Sequence, residues 1–213
     1  MVYKTPTLEY ELSAYRHGYK FIAGIDEVGR GPIAGPVVSA ALVFDLGIDF
    51  DRISYIRDSK QLSDTQRRRI VDELDHEGVD YGLGMVYASD IDEIGIVPAT
   101  KRSMIKAVAE LRMQPDFLLI DAVHLSEINI VQKPIIKGDQ RCLSIAAASV
   151  VAKVHRDNLM IAADEEYPGY GFAQHKGYPT KSHIQKLIEL GPSPIHRVSF
   201  EPVRRYSGDK RMQ

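Results

Sequence analysis

Disulfides are the first thing this chain cannot have. A single cysteine, Cys142, stands in 213 residues, so no internal bridge forms. A reducing, cytoplasmic setting is the matching expectation. Long apolar runs are missing too. No stretch approaches the ~20 apolar residues that a membrane span needs, and the opening MVYKTPTLEYEL lacks the apolar core of a signal peptide. Internal repeats and low-complexity tracts are absent, so neither a repeat array nor a biased linker is expected. Charge of one sign is also scarce. The net charge of −2 predicts no polyanion partner by itself. Its distribution says more: residues 176–213 carry eight Lys or Arg against three acids, while the first 175 residues carry 19 basic against 26 acidic side chains. A basic end beside an acidic body can hold a polyanion near a metal-binding cleft. A plain solvated surface gives the same numbers.

What is present is organised around Phe21 to Phe44, FIAGIDEVGRGPIAGPVVSAALVF. Phe21 to Ile25 reads as a buried strand, short, apolar and bounded by turn signals. Val37 to Phe44 reads as a second. Between them stand two adjacent acids, Asp26 and Glu27, and the turn Gly29-Arg30-Gly31-Pro32. A buried carboxylate is costly unless it is paired or binds a metal. These acids therefore either begin a solvated turn or hold a cation at the strand end.

The rest of the chain alternates. Thr5-Pro6 predicts a helix start, with Leu8, Leu12 and Tyr15 on its inner face and Gly18 at its end. Asp45 to Asp51 reads as a loop. Ser63 or Asp64 caps a helix to about His76, with Ile70, Val71 and Leu74 inward and Arg67 to Arg69 on a solvated face. Val79 to Ala88 reads as a twisted or edge strand. A short helical piece covers Ser89 to Ile94, and a better helix Pro98 to Met113. Phe117 to Asp121 is an apolar run ending in an acid, and Ile128 to Ile136 holds another short strand. Leu143 to Glu166 is the longest helix, its SIAAASVVAKV start apolar all round and therefore buried. A glycine-rich loop covers Pro168 to Pro179, Thr180 caps a last helix to Leu190, and a basic, mostly irregular tail follows. This order predicts an α/β fold: a mixed five-stranded sheet flanked by helices. One domain over 1–213 is expected, with a core over about 20–170 and a small helical C-terminal lobe over about 171–213.

Asp26, Glu27 and Asp121 each follow an apolar run, and ligands in open α/β sheets gather outside the carboxyl ends of strands. Asp139, at the end of the next element, is a fourth candidate. Acids brought together repel and raise each other's pKa values, which a divalent cation relieves. Oxygen ligands without His or Cys point to Mg²⁺ or Mn²⁺ rather than Zn²⁺. Two such ions roughly 4 Å apart activate a water and stabilise a leaving oxygen in phosphodiester hydrolysis.

These residues carry a resemblance. Asp26-Glu27-Val28-Gly29-Arg30-Gly31 with Ala34-Gly35-Pro36-Val37 resembles the signature of type 2 ribonucleases H, ribonuclease HII. The likeness continues through Asp58-Ser59-Lys60, Ile120-Asp121-Ala122, Lys137-Gly138-Asp139, the stretch SIAAASVVAKVHRD, His175-Lys176-Gly177-Tyr178, and Gly191-Pro192 to His196-Arg197-Val198-Ser199-Phe200. It spans about residues 20 to 203. The resemblance implies a ribonuclease H-like fold. It implies two Mn²⁺ or Mg²⁺ ions, and hydrolysis of RNA within RNA–DNA hybrids. It further implies incision 5′ of single ribonucleotides in duplex DNA, leaving 3′-hydroxyl and 5′-phosphate ends. On this likeness Asp26, Glu27, Asp121 and Asp139 are catalytic. The first three hold metal, with Asp26 shared and Asp139 most peripheral. Gly29, Arg30, Gly31 and Tyr178 contact the ribose.

Elementary chemistry agrees, since the 2′-hydroxyl separates RNA from DNA and glycines allow close backbone approach. Lys60 and Lys176 are expected at phosphates, and Lys153 beside an acid or in the cleft. His155, His175, His183 and His196 lack metal spacing and read as structural or phosphate-side residues. The tail carries no evident clamp-docking motif, and nothing requires more than a monomer. Two rival readings are another metal-dependent phosphotransfer enzyme and a silent nucleic-acid binder. The Gly-Arg-Gly turn with Tyr178 argues against the first, and the four acids against the second.

Overall fold

The computed structural model describes residues 5–44, 56–57 and 59–207. The loop expected over Asp45 to Asp51, and Asp58, lie outside the described residues. Five strands form one mixed sheet: β1 (Ile22–Val28), β2 (Val37–Val43), β3 (Asp80–Val86), β4 (Phe117–Asp121) and β5 (Val131–Ile135), in the order β3-β2-β1-β4-β5. The first three are antiparallel neighbours, while β4 runs parallel to β1 and β5 parallel to β4. β3 lies at an edge, as its glycines predict.

Eight α-helices stand among the described residues. They are α1 (Glu9–Arg16), α2 (Asp64–His76), α3 (Ala88–Ile94), α4 (Ile96–Ala109), α5 (Leu143–Glu166), α6 (Phe172–His175), α7 (Lys181–Leu190) and α8 (Val203–Tyr206). None is long and apolar enough to cross a membrane.

The core lies on both faces of the sheet. Side chains alternate along a strand, so Val38, Ala40 and Leu42 of β2 meet Ala147, Val150 and Val151 of α5. Ala41 and Val43, with Ala23 and Ile25 of β1, meet Met104, Ala107 and Val108 of α4. All seven β2 residues are buried, which explains a sequence apolar but for Ser39, whose Oγ lies 2.6 Å from Ser103 Oγ. Gly24 of β1 permits the closest approach of α5, because a Cβ there would stand 2.5 Å from Ser144 Cβ.

Several expectations are corrected. Helix α1 starts at Glu9, not at Thr5-Pro6, because Thr7 instead forms a parallel bridge with Cys142. Its buried residues are Glu11 and Ala14, while Leu12 and Tyr15 are exposed. Glu11 Oε1 accepts from Ser144 N at 2.8 Å and from Cys142 Sγ at 3.1 Å, satisfying a free donor at the start of α5. Asp26 and Glu27 lie within β1 rather than after it, since pairing with β2 continues to Val28↔Val38. Helix α4 begins at Ile96, with Pro98 inside its first turn. The loop before α7 contains α6, and the basic tail forms α8. Arg67 is not on a solvated face, because its Nη1 donates to Ser59 O and Leu62 O at 2.9 and 2.5 Å. The capping box at Ser63, the Thr180 cap and both ends of α5 match expectation.

Candidate active site

The parallel pairing Ile25↔Ile120 puts the next residues, Asp26 and Asp121, side by side where the pairing of β1 with β4 stops. Asp26, Glu27 and Asp121 each offer an oxygen, and these oxygens lie within 4.8 Å of one another. Asp26 is 5% exposed. Its Oδ1 accepts from Glu27 N at 2.7 Å, and its carboxylate also bonds the Ser149 side chain. Ser149 Oγ lies 3.0 Å from Ser59 Oγ, which ties the Lys60 turn to this acid. Burial, then the charges of Glu27 and Asp121, hold the Asp26 pKa well above the usual carboxylate range. Burial also raises Glu27, opposed by its bond to Arg30 at 3.2 Å. Asp121 Oδ1 accepts from Gly138 N at 2.6 Å.

Asp139 is buried, one residue past Gly138, and stands outside the three-acid cluster. Lys60 Nζ is 3.5 Å from Asp139 Oδ2. Lys153 pairs with Asp157 at 2.7 Å, so it neutralises an acid. Lys176 Nζ bonds back to Ala173 O.

The cluster suits a hard divalent cation. Glu27 Oε2 is buried with no hydrogen-bond partner among the described residues. Such an orphan costs energy unless something electropositive meets it. Three carboxylates this close, met among the described residues by Arg30, the Ser149 hydroxyl and backbone N–H groups, are short of positive charge.

Beside the acids runs the Gly29-Arg30-Gly31 turn. Gly29 has φ +94, and a Cβ there would stand 2.6 Å from Pro36 O and 2.8 Å from Arg156 Cδ. The position of a Cβ on Gly31 lies 3.7 Å from Tyr178 Cε1, so the tyrosine ring, 41% exposed, flanks the turn.

Two buried arginines hold this turn, and sequence reasoning assigned neither a role. Arg197 donates to the carbonyls of Gly29 (2.6 Å), Arg30 (3.2 Å), Pro32 (2.7 Å) and Gly35 (2.8 and 3.0 Å). Arg156 donates to Ala34, Pro36 and Lys176 carbonyls at 3.1, 2.9 and 2.9 Å. Burial lowers Arg156 to about 10 and Arg197 to about 9, so both stay charged at neutral pH. Ser149, in the Ala-rich run of α5, was missed likewise. The histidines fall on structural contacts: His175, His183 and His196 pack together, with His183 and His196 fully buried.

Comparison with known proteins agrees with this geometry. The family profile described as Ribonuclease HII matches residues 23–203. The chain is 50% identical over 195 residues to the Ribonuclease HII of Syntrophomonas wolfei, covering 92% of this chain and 75% of that one. With the Ribonuclease HII of Listeria monocytogenes serovar 1/2a it shares 47% over 196 residues, 92% and 74% of the two chains. Among solved structures, ribonuclease H2 from Pyrococcus horikoshii OT3 aligns with a TM-score of 0.75 at 25% identity, over 91% of this chain and all of that one. Bst-RNase HIII in complex with Mn²⁺ shares the fold, with a TM-score of 0.65 at 22% identity over 92% and 71% of the two chains. Sheet order, flanking helices and these relatives converge, and the chain belongs to the ribonuclease HII family of endonucleases, hydrolases of the phosphodiester bond.

Proposed function

We propose that this chain hydrolyses the RNA strand of RNA–DNA hybrids and incises 5′ of single ribonucleotides embedded in duplex DNA, leaving 3′-hydroxyl and 5′-phosphate ends. The observation carrying this reading is the placement of the Gly29–Gly31 turn and Tyr178 beside three clustered carboxylates. Asp26, Glu27 and Asp121 would hold the metal, Mn²⁺ or Mg²⁺, with Asp139 at the margin near Lys60. When bound there, two such ions would supply an activated water and charge stabilisation of the leaving oxygen. The Ser149 hydroxyl and the Glu27 amide keep Asp26 oriented, and Arg30 holds one Glu27 oxygen so that the other faces the centre. Main-chain groups of Gly29 and Gly31 approach the ribose closely enough to meet a 2′-hydroxyl, and Tyr178 packs on the sugar. Water oxygen bonds to phosphorus, the bond to the 3′ oxygen of the preceding nucleotide breaks, and that oxygen takes up a proton. Residues 1–213 act as one domain, with 171–213 a lobe carrying Tyr178 over the core. A reducing cytoplasm and a monomeric state complete the reading.

A duplex with one ribonucleotide, an all-DNA control, and Mn²⁺ or Mg²⁺ present or absent tests it. Metal-dependent cutting confined to the ribonucleotide duplex is the expected result. Equal cutting of both points to an unselective phosphotransfer enzyme, and binding without cutting to a silent binder. Tyr178→Ala should lower kcat/KM at the single ribonucleotide at least about tenfold, roughly 1.4 kcal/mol. Its ring is part-exposed, so the melting temperature should hardly move. An unchanged rate removes the sugar-packing role.

A further inference from the structure

The two walls of the proposed ribose sensor, the Gly29–Gly31 turn and Tyr178, are far apart in sequence; Ile33 N meets Gly177 O at 2.9 Å, Arg156 bridges Ala34 and Pro36 to Lys176, and a third link is one short segment. Residues 195–197 lie along the turn: Gly35 N donates to Ile195 O and Arg197 N donates to Ile33 O, each at 2.9 Å. From this segment the Arg197 side chain reaches the turn carbonyls. The neighbouring His196 points to the other wall. His196 Nε2 is 3.0 Å from His183 Nε2, and His183 Nδ1 is 2.9 Å from Tyr178 O. The segment itself is anchored by Asp92, which accepts from Val198 N and Ser199 N at 2.9 Å.

The proton positions follow from the partners. Ser193 N can only donate, so His196 Nδ1 is an acceptor at 3.0 Å. The His196 proton is then on Nε2 and points at His183 Nε2. A carbonyl can only accept, so the His183 proton is on Nδ1 and points at Tyr178 O, which also accepts from Thr180 N at 2.8 Å. On the other side, Tyr178 N donates to His175 O at 2.9 Å, and the His175 ring stacks on His183 with centroids 4.0 Å apart. Burial lowers both His183 and His196 to about 4, which keeps the chain of rings neutral.

We infer that His196, through His183, and Arg197 are positioning residues that fix Tyr178 relative to the glycine turn and so set selectivity for the 2′-hydroxyl. This rests on the sugar-reading role assigned above. Neither residue touches substrate; each sets where a wall stands. Tight rejection of a substrate lacking a hydroxyl requires polar groups held in place. A neutral, one-directional hydrogen-bond chain supplies that without a buried ion pair.

Two measurements on the full chain test this. Long-range ¹H–¹⁵N NMR at neutral pH should show His183 protonated on Nδ1 alone and His196 on Nε2 alone. The reverse tautomers, or a doubly protonated ring, overturn the relay whatever the enzyme cuts. The second compares cutting at a ribonucleotide with cutting at a 2′-fluoro nucleotide in the same duplex. His183→Leu and Arg197→Lys should each lower that ratio by about tenfold or more, and His183→Asn, which keeps a donor for Tyr178 O, should lie between them and wild type. Melting curves recorded alongside identify loss of fold, and two variants on different elements guard against one failing to fold. A ratio unchanged in all folded variants, with turnover alone reduced, makes these residues merely structural and overturns the inference. If wild type itself fails to distinguish the two duplexes, the sugar-reading role falls and the inference with it, leaving only the tautomers to be read.

Discussion

Asp26→Asn is expected to lower turnover by at least about a thousandfold while raising the melting temperature of the metal-free protein. Both effects come from the same burial. Asp26 is enclosed beside Glu27 and Asp121, and burial plus these charges raise its pKa well above the ordinary range. An acid whose folded pKa is raised above its unfolded value favours folding below the unfolded pKa and loses that contribution as pH climbs through the folded one. Glu27 is raised in the same direction. Metal-free stability should therefore fall as pH rises through this elevated carboxylate range, and the neutral amide should flatten the fall. Asn retains an oxygen able to accept from Glu27 N, so the strand persists. It removes the charge needed to hold a divalent ion, and losing about 4 kcal/mol of transition-state stabilisation is about a thousandfold in rate. Melting curves in chelator and in Mn²⁺ across pH provide the check. Wild type should gain stability on adding Mn²⁺, and the variant little. Undiminished turnover in Asp26→Asn would remove Asp26 from the mechanism.

Gly24→Val should destabilise the fold by at least about 3 kcal/mol, lowering the melting temperature by roughly 10 °C for a chain of this size. The added side chain would overlap Ser144 at the start of α5, its Cβ 2.5 Å from Ser144 Cβ and closer still to the backbone. Backbone cannot rotate away as a side chain can. Retreat of α5 is opposed as well, because Glu11 holds Ser144 N and every residue from Leu143 to Ala152 is buried. Any shift that occurs moves Ser149 from Asp26, so Mn²⁺ affinity should fall with stability. Denaturant unfolding and Mn²⁺ titration in the same variant measure both. A Gly24→Val protein as stable as wild type would mean that β1 and α5 are not locked together here.

How much of this was readable depended on whether neighbours in sequence decided the matter. The run Phe117 to Asp121 is apolar until its acid, and β4 has those limits. Helix α5 likewise runs from Leu143 to Glu166, because an all-round apolar start can only be buried. The meeting of Asp26 with Asp121 was legible from two apolar runs that each lead into an acid, although β1 continues past Asp26 to Val28. Helix α1 was misread because its inward face is chosen by a donor at Ser144, 133 residues from Glu11. An exposed Leu12 and a buried glutamate contradict hydrophobic periodicity, and only the distant partner explains them. Arg156 and Arg197 were unreadable for the same reason. Apart from the Lys176 carbonyl met by Arg156, their partners are main-chain carbonyls 120 or more residues away, and carbonyls carry no sequence signature. Asp139 was expected as the most peripheral of the four acids. It reaches their neighbourhood through Gly138, whose N–H binds Asp121, yet its side chain turns toward Lys60.

The carbonyls of Gly29, Arg30, Pro32 and Gly35 all wait on Arg197. During synthesis the acids and their sheet emerge from the ribosome well before that residue does. A growing polypeptide that has reached the end of α5 can already pair β1 with β4 and carries Arg156 for the Ala34 and Pro36 carbonyls, but the Gly29, Arg30, Pro32 and Gly35 carbonyls still lack theirs. The carboxylate cluster can therefore form before the turn beside it has all its contacts, and that turn settles fully only once residue 197 has been made.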